Sequence, residues 1–355
     1  MKAEKHCIRN RLVSSEKCYV SYNKAIFEKQ GCQTGLTNQS LERVNSMLVA
    51  AKADKKPIIS IIVPVFNAEK TIKRCLNALT KQTYQNEKYE IIVVDNDSTD
   101  NSANIIREFP VVLLSEKRAH NSYMARNRGL SHAKGEILAF IDADCIADKN
   151  WLKNLVKPFQ DESVGVVAGE VLSDKPRNLV QGFYEYSEFL KQGKKVTSKI
   201  AALGAGNTAL RKNIFDIVGT FDADFRWGGD NDLGIRIQKE TNYLIKFAEN
   251  ARVYHTHRAS LKGLIKHAYT YGLGKGRFRV KHSAQNKFAK GTSISWNLYM
   301  LFRFIAGIVI LPLYSLKMTK ESRIISESII YPCLDKIFCI IEQIGIITFL
   351  LKKKD

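Results

Sequence analysis

The chain has 355 residues, of which 45% are apolar and 25% are charged. This mixture provides enough apolar material for a large core, and it excludes a disordered or collagen-like chain. Lysine and arginine number 55 against 35 aspartate and glutamate residues, so the net charge is +20. The seven cysteines include no C-x-x-C pair, which argues against a disulfide framework and favours a reducing compartment.

The positive charge is concentrated in one part of the chain. Residues 250–320 contain no aspartate or glutamate but 13 lysine or arginine residues. Such a block favours anionic partners, namely lipid headgroups, phosphorylated substrates or nucleic acid, and a solvated basic face is the alternative. Tyr269, Tyr271 and Phe278 lie among these cations as in a stacking platform, but no recognisable nucleic-acid motif accompanies them. We therefore expect no nucleic-acid partner.

The first half of the chain predicts an alternation of strands and helices. Residues 1–56 are polar and weakly patterned, and we assign no chemistry to them. Short apolar, β-branched runs predict buried strands at 57–66, 89–97, 111–116 and 136–144. Helical spacing of apolar residues predicts helices at 67–82, capped by Asn67, at 98–109, capped by Ser98 or Thr99, and at 124–135. Continuous apolar strands that alternate with helices are typical of a parallel α/β sheet covered on both faces.

The second half is less regular. The pattern predicts a helix at 151–159, a strand at 164–172, an amphipathic helix at 178–195, and a glycine-rich turn followed by two helices within 201–239. The last of these helices begins at about Asp230. Two short strands around a turn are predicted within 243–257.

The tail differs from the rest of the chain. Residues 298–316 form a 19-residue apolar run with one charge, Arg303, which is long enough to span a bilayer. Residues 328–351 are also apolar but carry Asp335, Lys336 and Glu342, so they predict a poor second span, an interfacial helix or a helix packed on protein. We predict that this tail associates with a membrane. Two buried helices of a C-terminal bundle are the alternative.

Paired carboxylates occur at four Asp-x-Asp triplets, and such pairs either bind a divalent cation or cap a helix. The triplets are Asp95/Asp97, Asp142/Asp144, Asp222/Asp224 and Asp230/Asp232. The first two follow predicted strands, and ligands of open α/β sheets bind at the carboxyl ends of strands. The second therefore lies where a ligand site is expected, and we assign no chemistry to the third.

Sugar transfer from a nucleotide donor needs a cation that neutralises the leaving diphosphate and a base for the acceptor hydroxyl, both in one cleft. The sequence offers these parts in order: paired acids after strands, Asp230 after two glycines, and His255 and His257 after a short strand. Each part also has a structural alternative. Asp97 and Asp230 could cap helices, and a histidine at a strand end is more often structural than a ligand.

Five stretches give the sequence a family resemblance. They read SIIVPVFNAEKTIKRCLNAL, EIIVVDNDSTDNS, ARNRGLSHAKGEILAFIDADC, GAGNTALRKNIFDIVGTFDADFRWGGDNDLGIRI and VYHTHRASLKGLIKHAYTYG. From about residue 58 to 271 the chain resembles a family 2 glycosyltransferase of GT-A fold, with a mixed α/β sheet flanked by helices. The resemblance implies a glycosyltransferase domain at 57–272. The residue patterns on either side of it add an N-terminal extension at 1–56 and a basic linker with C-terminal membrane-associated helices at 273–355.

The resemblance also assigns roles. It implies a nucleotide site formed by Pro64, Phe66, Asn67, Asp95, Asp97, Arg126, Asn127 and Asp142, with Asp95 on a uracil-type base. It implies a metal site of Asp142, Asp144 and His255, with His257 as the weaker choice. Gly206, Asn207 and Gly229 would form the wall for the donor sugar and the acceptor, and Asp230 would be the general base.

The implied reaction is an inverting transfer of a hexose from a nucleotide sugar, a UDP-sugar above all, to a hydroxyl of a glycan or lipid-linked acceptor, with Mg²⁺ or Mn²⁺. The tail would hold the catalytic domain at the cytoplasmic face of a membrane. A non-catalytic nucleotide-sugar-binding or assembly subunit is the alternative. Two departures from the family pattern stand out: Asn96-Asp97-Ser98 replaces the usual Asp-Gly-Ser, and Gly229-Asp230 replaces the usual Glu-Asp pair.

Overall fold

A computed structural model of the chain describes residues 58–118, 121–187, 203–283, 290–305 and 330–352. Its contacts divide the chain into two units, Met1–Lys56 and Pro57–Asp355, and only the second contains described residues. The N-terminal extension, the end of the helix predicted at 178–195 and most of the apolar run at 298–316 lie outside the described residues.

The second unit is built on one eight-stranded sheet with the strand order β3-β2-β1-β4-β7-β6-β8-β5. The strands are β1 (Ile59–Val65), β2 (Tyr89–Asp95), β3 (Val112–Ser115), β4 (Ile137–Ile141), β5 (Cys145–Ala147), β6 (Val164–Ser173), β7 (Asn207–Arg211) and β8 (Leu244–His255).

Helices cover both faces of the sheet. They are α1 (Ile72–Leu79), α2 (Ser102–Arg107), α3 (Ser122–Leu130), α4 (Trp151–Val156), α5 (Leu179–Tyr186), α6 (Ile214–Val218), α7 (Gly229–Glu240), α8 (Leu261–Lys281) and α9 (Tyr331–Lys352). Residues 294–305 are also helical. One face of the sheet packs on α1 and α4 through residues such as Ile61 and Trp151, and the other packs on α3, α6 and α7 through residues such as Ile62 and Phe140.

The four strands predicted in the first half are confirmed within the predicted bounds. Strand β3 is not buried, because it lies at the edge of the sheet, and its Val112 and Ser115 are exposed. They pair in parallel in the order β3-β2-β1-β4, and Val65 at the end of β1 lies beside Asp95 at the end of β2. All seven residues of β1 are buried, as expected for a central strand covered on both faces. The carboxyl ends of these strands therefore share one edge of the sheet.

The predicted helix caps were wrong. Helix α1 begins five residues after Asn67, with Thr71 at its N-cap, and α2 begins after Asn101 rather than after Ser98 or Thr99. The side chain of Asn67 instead accepts a hydrogen bond from the backbone N–H of Thr99, in the neighbouring loop. A polar side chain at a strand end can accept a hydrogen bond from the neighbouring loop or from the start of its own helix, and the sequence does not distinguish the two.

The second half of the sheet is mixed. Strand β7 runs antiparallel between β4 and β6, and it was not predicted, because its five residues follow a glycine-rich turn. Strand β8 is one strand of 12 residues, so the two short strands predicted within 243–257 were wrong. The supposed turn is an irregularity in pairing: Gly169 and Glu170 of β6 lie opposite Ala248 and Arg252, so the intervening residues bulge from the ladder.

The long helices α8 and α9 pack closely because glycine lies where they meet. A Cβ atom on Gly272 would lie 2.0 Å from the carbonyl oxygen of Glu342, and one on Gly345 would lie 2.4 Å from that of Tyr269. Lys275 also binds the Glu342 carboxylate at 2.9 Å. The domain boundary predicted at 272 falls inside α8.

The residues predicted as a second apolar segment, 328–351, largely form α9, which packs on protein through Phe338 and Ile346. Within the part of the chain that the structure describes, we find no helix that combines the length and hydrophobicity required for a transmembrane span.

Candidate active site

The candidate site lies at the edge of the sheet where the parallel strands end. Asp95 is the last residue of β2, and Asp142 follows the last residue of β4, with β1 between them. Pro64 is buried inside β1, while Phe66, just beyond its end, is 47% exposed. The Asp95 carboxylate accepts a hydrogen bond of 3.3 Å from the N–H of Ser98. Of the residues predicted to bind the nucleotide, Phe66, Asp95 and Asp142 thus lie at one rim of the sheet.

The loops after β1 and β2 are tied together along this rim. Asn67 accepts a 2.8 Å hydrogen bond from the N–H of Thr99, and its own N–H donates to the Ser98 hydroxyl at 3.0 Å. Two positions further, the N–H of Glu69 donates to the carboxylate of Asp100 at 3.0 Å. Each loop therefore supplies partners for the other.

Asp97 and Asn67 are the non-glycine residues with positive φ in the described parts of the chain, at 63° and 50°. Asp97 stands where the family resemblance leads us to expect glycine. The left-handed conformation that favours glycine is thus kept, and aspartate is one of the residues that adopt it most readily. The departure at Asp97 changes a side chain without changing the path of the backbone.

Asp142 is held by a buried arginine. The Arg126 guanidinium donates to Oδ1 of Asp142 at 2.5 Å, while the other carboxylate oxygen lies against Gly206. A Cβ atom on residue 206 would lie 2.7 Å from that oxygen, so a glycine is needed here for the backbone to approach. Burial raises the pKa of Asp142, and the charge of Arg126 lowers it in part.

Asp144 lies beside His255, because β5 pairs with the end of β8 and places Cys145 opposite His255. The imidazole Nε2 is 3.3 Å from the Asp144 carboxylate. Burial raises the pKa of Asp144, but the His255 charge and hydrogen bond, with Arg258, outweigh burial and hold it below its usual range. Burial lowers the pKa of His255, and Asp144 outweighs that effect, so this pKa is raised.

His257 lies behind His255 rather than beside the carboxylates. Its Nδ1 is 3.2 Å from Nδ1 of His255, its Nε2 is 2.8 Å from the Ser173 hydroxyl, and its ring stacks on Tyr184. Burial lowers the pKa of His257 to about 4, so the ring is neutral at neutral pH. Of the two histidines, His255 therefore faces Asp144.

The donor set suits a divalent cation. One ligand atom each from Asp144, Cys145 and His255 lies within 4.8 Å of the others. Cys145 is only 1% exposed, and burial raises the pKa of its thiol well above the usual range, so it stays protonated. A carboxylate and an imidazole remain, with Asp142 two residues away, and this oxygen-rich set with one nitrogen fits Mn²⁺ and, less well, Mg²⁺.

Asp230 lies in the first turn of α7, and its carboxylate contacts the backbone next to Gly206. Its Oδ2 accepts a 3.1 Å hydrogen bond from the N–H of Ala205, and its Oδ1 accepts bonds from the Tyr123 hydroxyl at 3.2 Å and from the N–H of Asn231 at 3.0 Å. Ala205 directly precedes Gly206, which touches Asp142. The structure thus brings together two predicted carboxylates that are far apart in the chain.

Two predicted site residues have their amides occupied by protein. Asn207 is fully buried, accepts from the Trp151 indole N–H at 2.7 Å and donates to the carbonyls of Glu170 and Ala251 at 2.8 Å. Asn127 exchanges hydrogen bonds of 2.8 and 3.1 Å with the backbone of Phe221. In this arrangement their neighbours, Gly206 and Arg126, face the site instead.

Three further aspartates of the Asp-x-Asp triplets hold α8 in place. Asp222 binds Lys281 at 2.8 Å, and Asp224 binds Arg277 at 2.6 Å. Asp232, which is fully buried, also binds Lys281 at 2.8 Å. These contacts give structural roles to Asp222, Asp224 and Asp232.

Sequence reasoning missed two residues beside the site. Tyr123 carried no signal, because its position in the first turn of a helix looks like ordinary core. Arg258 is exposed, and its charge lowers the pKa values of both Asp144 and Tyr184, so it lies within electrostatic range of the candidate metal ligand Asp144. Its signal was its position directly after His257 in a stretch rich in ligand-type residues.

The model of the family "Glycosyl transferase family 2" matches residues 60–219. A second family model, "Ion channel regulatory protein UNC-93", matches residues 241–355. The first match contains the strand ends that carry Asp95 and Asp142.

Named relatives and a solved structure agree with the first match. Glycosyltransferase WfgD of Escherichia coli, a UDP-Glc:α-D-GlcNAc-diphosphoundecaprenol β-1,3-glucosyltransferase, is 26% identical in an alignment of 258 positions that covers 61% of this chain and 98% of WfgD. Mannosyltransferase PcManGT from Pyrobaculum calidifontis, solved with GDP-Man and Mn²⁺, shares the fold with a TM-score of 0.55 at 16% identity. That match covers 88% of this chain and 95% of PcManGT.

Glycosyltransferase AglE of Haloferax volcanii is 34% identical in an alignment of 230 positions that covers 63% of this chain and 74% of AglE. Identity of this level over most of a relative, together with a GT-A-like sheet whose strand ends carry the paired acids, leads to one conclusion: the chain belongs to glycosyl transferase family 2 and is a glycosyltransferase.

Proposed function

We propose that the protein transfers a hexose from a nucleotide sugar to a hydroxyl of a glycan or lipid-linked acceptor, with inversion and with a divalent metal ion. One observation carries the proposal. The backbone of Ala205 and Gly206 touches the carboxylates of Asp230 and Asp142 respectively, so a base candidate and a metal-side carboxylate flank the same short wall.

The nucleotide binds at the rim formed by the ends of β1 and β2. Asp95 accepts from the nucleobase, and the exposed ring of Phe66 provides an apolar surface next to it. Asp97 and Asn67 lie on the same rim, and Arg126 acts indirectly by holding Asp142. A UDP-sugar is the expected donor, which is also the donor named for the relative WfgD.

Asp144 and His255 hold the cation, with Asp142 beside them. When bound, the cation neutralises the charge that develops on the leaving diphosphate. The exposed guanidinium of Arg258 adds a second positive charge on the same side. Because one donor is an imidazole, we expect Mn²⁺ to bind more tightly than Mg²⁺.

Asp230 acts as the general base. Three hydrogen bonds hold its carboxylate in one orientation. The acceptor hydroxyl loses its proton to Asp230 as its oxygen attacks the anomeric carbon from the face opposite the diphosphate. A single displacement of this kind inverts the anomeric configuration.

The acceptor is lipid-linked, and the enzyme works at the cytoplasmic surface of a membrane. The acid-free basic stretch at 250–320 is complementary to anionic lipid headgroups. The helical segment at 294–305 also exposes large apolar side chains, with Phe302 the most exposed at 69%. The named acceptor of WfgD is a diphosphoundecaprenol-linked sugar. The domain at 57–272 supplies catalysis, and residues 273–355 supply membrane contact.

A thermal-shift screen of UDP- and GDP-sugars with and without Mn²⁺ tests the proposal, because ligand binding raises the unfolding temperature by mass action. We expect one nucleotide sugar to stabilise the protein, and to do so more strongly with Mn²⁺. Product analysis with a polyprenyl-diphosphate-linked acceptor then tests transfer. Stabilisation without transfer to any glycan or lipid-linked acceptor would favour a non-catalytic binding subunit, and no stabilisation by any nucleotide sugar would overturn the proposal.

A further inference from the structure

Tyr123 is a buried residue in the first turn of α3 whose hydroxyl reaches the first turn of α7. The backbone N–H of Gly229 donates to this hydroxyl at 3.0 Å. The hydroxyl lies 3.2 Å from Oδ1 of Asp230. A backbone N–H can only donate, so the hydroxyl uses a lone pair for Gly229 and keeps its single proton for the carboxylate. The direction of both bonds is thereby fixed.

The ring of Tyr123 also determines what residue 229 can be. A Cβ atom on Gly229 would lie 2.9 to 3.1 Å from three carbon atoms of the ring. The ring therefore occupies the space that a side chain at 229 would need. The acidic neighbour expected at this position from the family resemblance is absent, and an aromatic ring from another helix fills its place.

The same ring faces the donor side of the site. The guanidinium carbon of Arg126 lies 5.5 Å from the ring centroid, within cation–π distance, and Arg126 holds Asp142. Tyr123 thus contacts both the arginine that fixes the metal-side carboxylate and the candidate base. Burial raises the pKa of its hydroxyl well above the ordinary value, so the proton is retained throughout the working pH range.

We propose that Tyr123 is a positioning residue that aims the Asp230 carboxylate at the acceptor hydroxyl and stands in for the missing acidic neighbour. This inference rests on the proposed role of Asp230 as the base. Tyr123 holds the first turn of α7 through the N–H of Gly229 and fixes the carboxylate rotamer through Oδ1. The chemistry of the nucleotide and of the metal does not involve its hydroxyl.

The test is Tyr123→Phe, which removes the hydroxyl but keeps the ring that contacts Gly229 and Arg126. We expect the kcat of sugar transfer to fall about 10- to 100-fold, because loss of one orienting hydrogen bond acts on the proton-transfer step. The Kd values of the nucleotide sugar and of Mn²⁺ should change by less than about twofold, since their predicted contacts are intact. Isothermal titration measures both affinities without any turnover.

Tyr89→Phe is the matched control. Its hydroxyl also makes two hydrogen bonds, both of 3.2 Å, to the carbonyl of Leu79 and the side chain of Asn86, away from the site. It should cost a similar amount of stability and leave kcat unchanged. Gly229→Ala provides a second variant, because its Cβ would displace the Tyr123 ring from the other side and should reproduce the loss of kcat.

The outcomes separate this inference from the proposed function when Asp230→Asn is measured alongside. If Asp230→Asn retains full transfer activity, the proposed role of the base fails. If Asp230→Asn is inactive while Tyr123→Phe keeps the kcat of the parent protein, only the positioning role is overturned. The positioning role is also overturned if Tyr123→Phe weakens nucleotide binding as much as it lowers kcat, because that result indicates a general structural defect.

Discussion

The two sides of the candidate site are built in different ways. The donor side consists of consecutive strand ends, where Asp95 and Asp142 follow strands separated only by β1. The base side is assembled by side chains from distant parts of the chain, with Asp230 bound by Tyr123 and by the N–H of Ala205. The sheet itself therefore fixes the donor side, whereas the base side depends on a few individual contacts.

The base side has further support from α8. A Cβ atom on Gly274 would lie 2.5 Å from the carbonyl oxygen of Trp227, three residues before Asp230, so the helix lies directly on this loop. The end of the same helix binds Asp232 through Lys281 at 2.8 Å and His282 at 3.0 Å. We expect changes in α8 to affect the base side more than the donor side.

The largest expected effect is a contrast between a variant of the base side, which should lose kcat, and a variant of the donor side, which should also lose metal affinity. Asp230→Asn should lower kcat by about 10²- to 10⁴-fold, since general-base catalysis has this magnitude, and should leave the affinity for Mn²⁺ and nucleotide sugar nearly unchanged. Asp144→Asn should instead weaken Mn²⁺ binding and lower activity together. Steady-state kinetics and calorimetric titration of both variants check the prediction.

An equal loss of metal affinity in both variants would contradict this separation. It would mean that the two carboxylates act as one ligand set rather than as a metal ligand and a base.

The next effect concerns the stability of the base side. Asp232→Ala should lower the free energy of unfolding by about 3–5 kcal/mol, because it leaves the charges of Lys281 and Arg236 without their buried partner. Asp224→Ala is the matched control, since its ion pair with Arg277 involves an Asp224 side chain that is 74% exposed. That change should cost less than about 1 kcal/mol. Urea denaturation of both variants gives the comparison.

The two losses of unfolding free energy are compared to decide whether the buried ion pair contributes more than the exposed one. Similar losses would show that α8 is held to the base side by its surface ion pairs as much as by its buried one.

The smallest expected effect is a dependence of folding stability on pH that arises from His267, which lies beside Trp227. Burial lowers the pKa of His267 to about 3. Its ring lies beside Trp227, and its Nδ1 atom is 2.7 Å from the Tyr184 hydroxyl, with which it forms a hydrogen bond. In the unfolded chain the pKa is about 6.5, so at pH 5 the unfolded state binds a proton that the folded state does not. Stability is therefore lost as pH falls below about 6.5, by about 2 kcal/mol at pH 5 relative to pH 7.5.

His267→Gln removes this titration. The difference in unfolding free energy between pH 7.5 and pH 5 should shrink by that amount, as measured by urea denaturation at the two pH values. A variant with the same pH dependence as the parent protein would show that His267 carries its proton in the folded state.

The donor side could largely be predicted from the sequence. Buried strands followed by paired acids are local signals, and the rule that ligands bind at strand ends points to the triplets after β2 and β4. The family resemblance then selects Asp142 and Asp144 as the metal pair. Strand β7 was missed because five residues after a glycine-rich turn carry little pattern. Strand β8 was predicted as two strands because its polar bulge resembles a turn.

The base side could be predicted only in part. Asp230 was identified through its resemblance to the family, but Tyr123 is 107 residues away from it in sequence. A tyrosine in an ordinary helical turn gives no sign of the partner that the fold supplies. The same holds for Asn127 and Asn207, which the family resemblance assigned to the site, while the structure pairs their amides with distant backbone groups.

The hydrogen bonds between the loops after β1 and β2 have a consequence for affinity. Restricting the backbone of a free loop costs about 1–2 kcal/mol of entropy for each residue. Here Asn67 and Thr99 restrain each other, as do Glu69 and Asp100, through direct hydrogen bonds between the loops. The entropy cost of ordering these contacts is met during folding, so a nucleotide bound at this rim, as proposed, would not have to meet it again and would gain affinity.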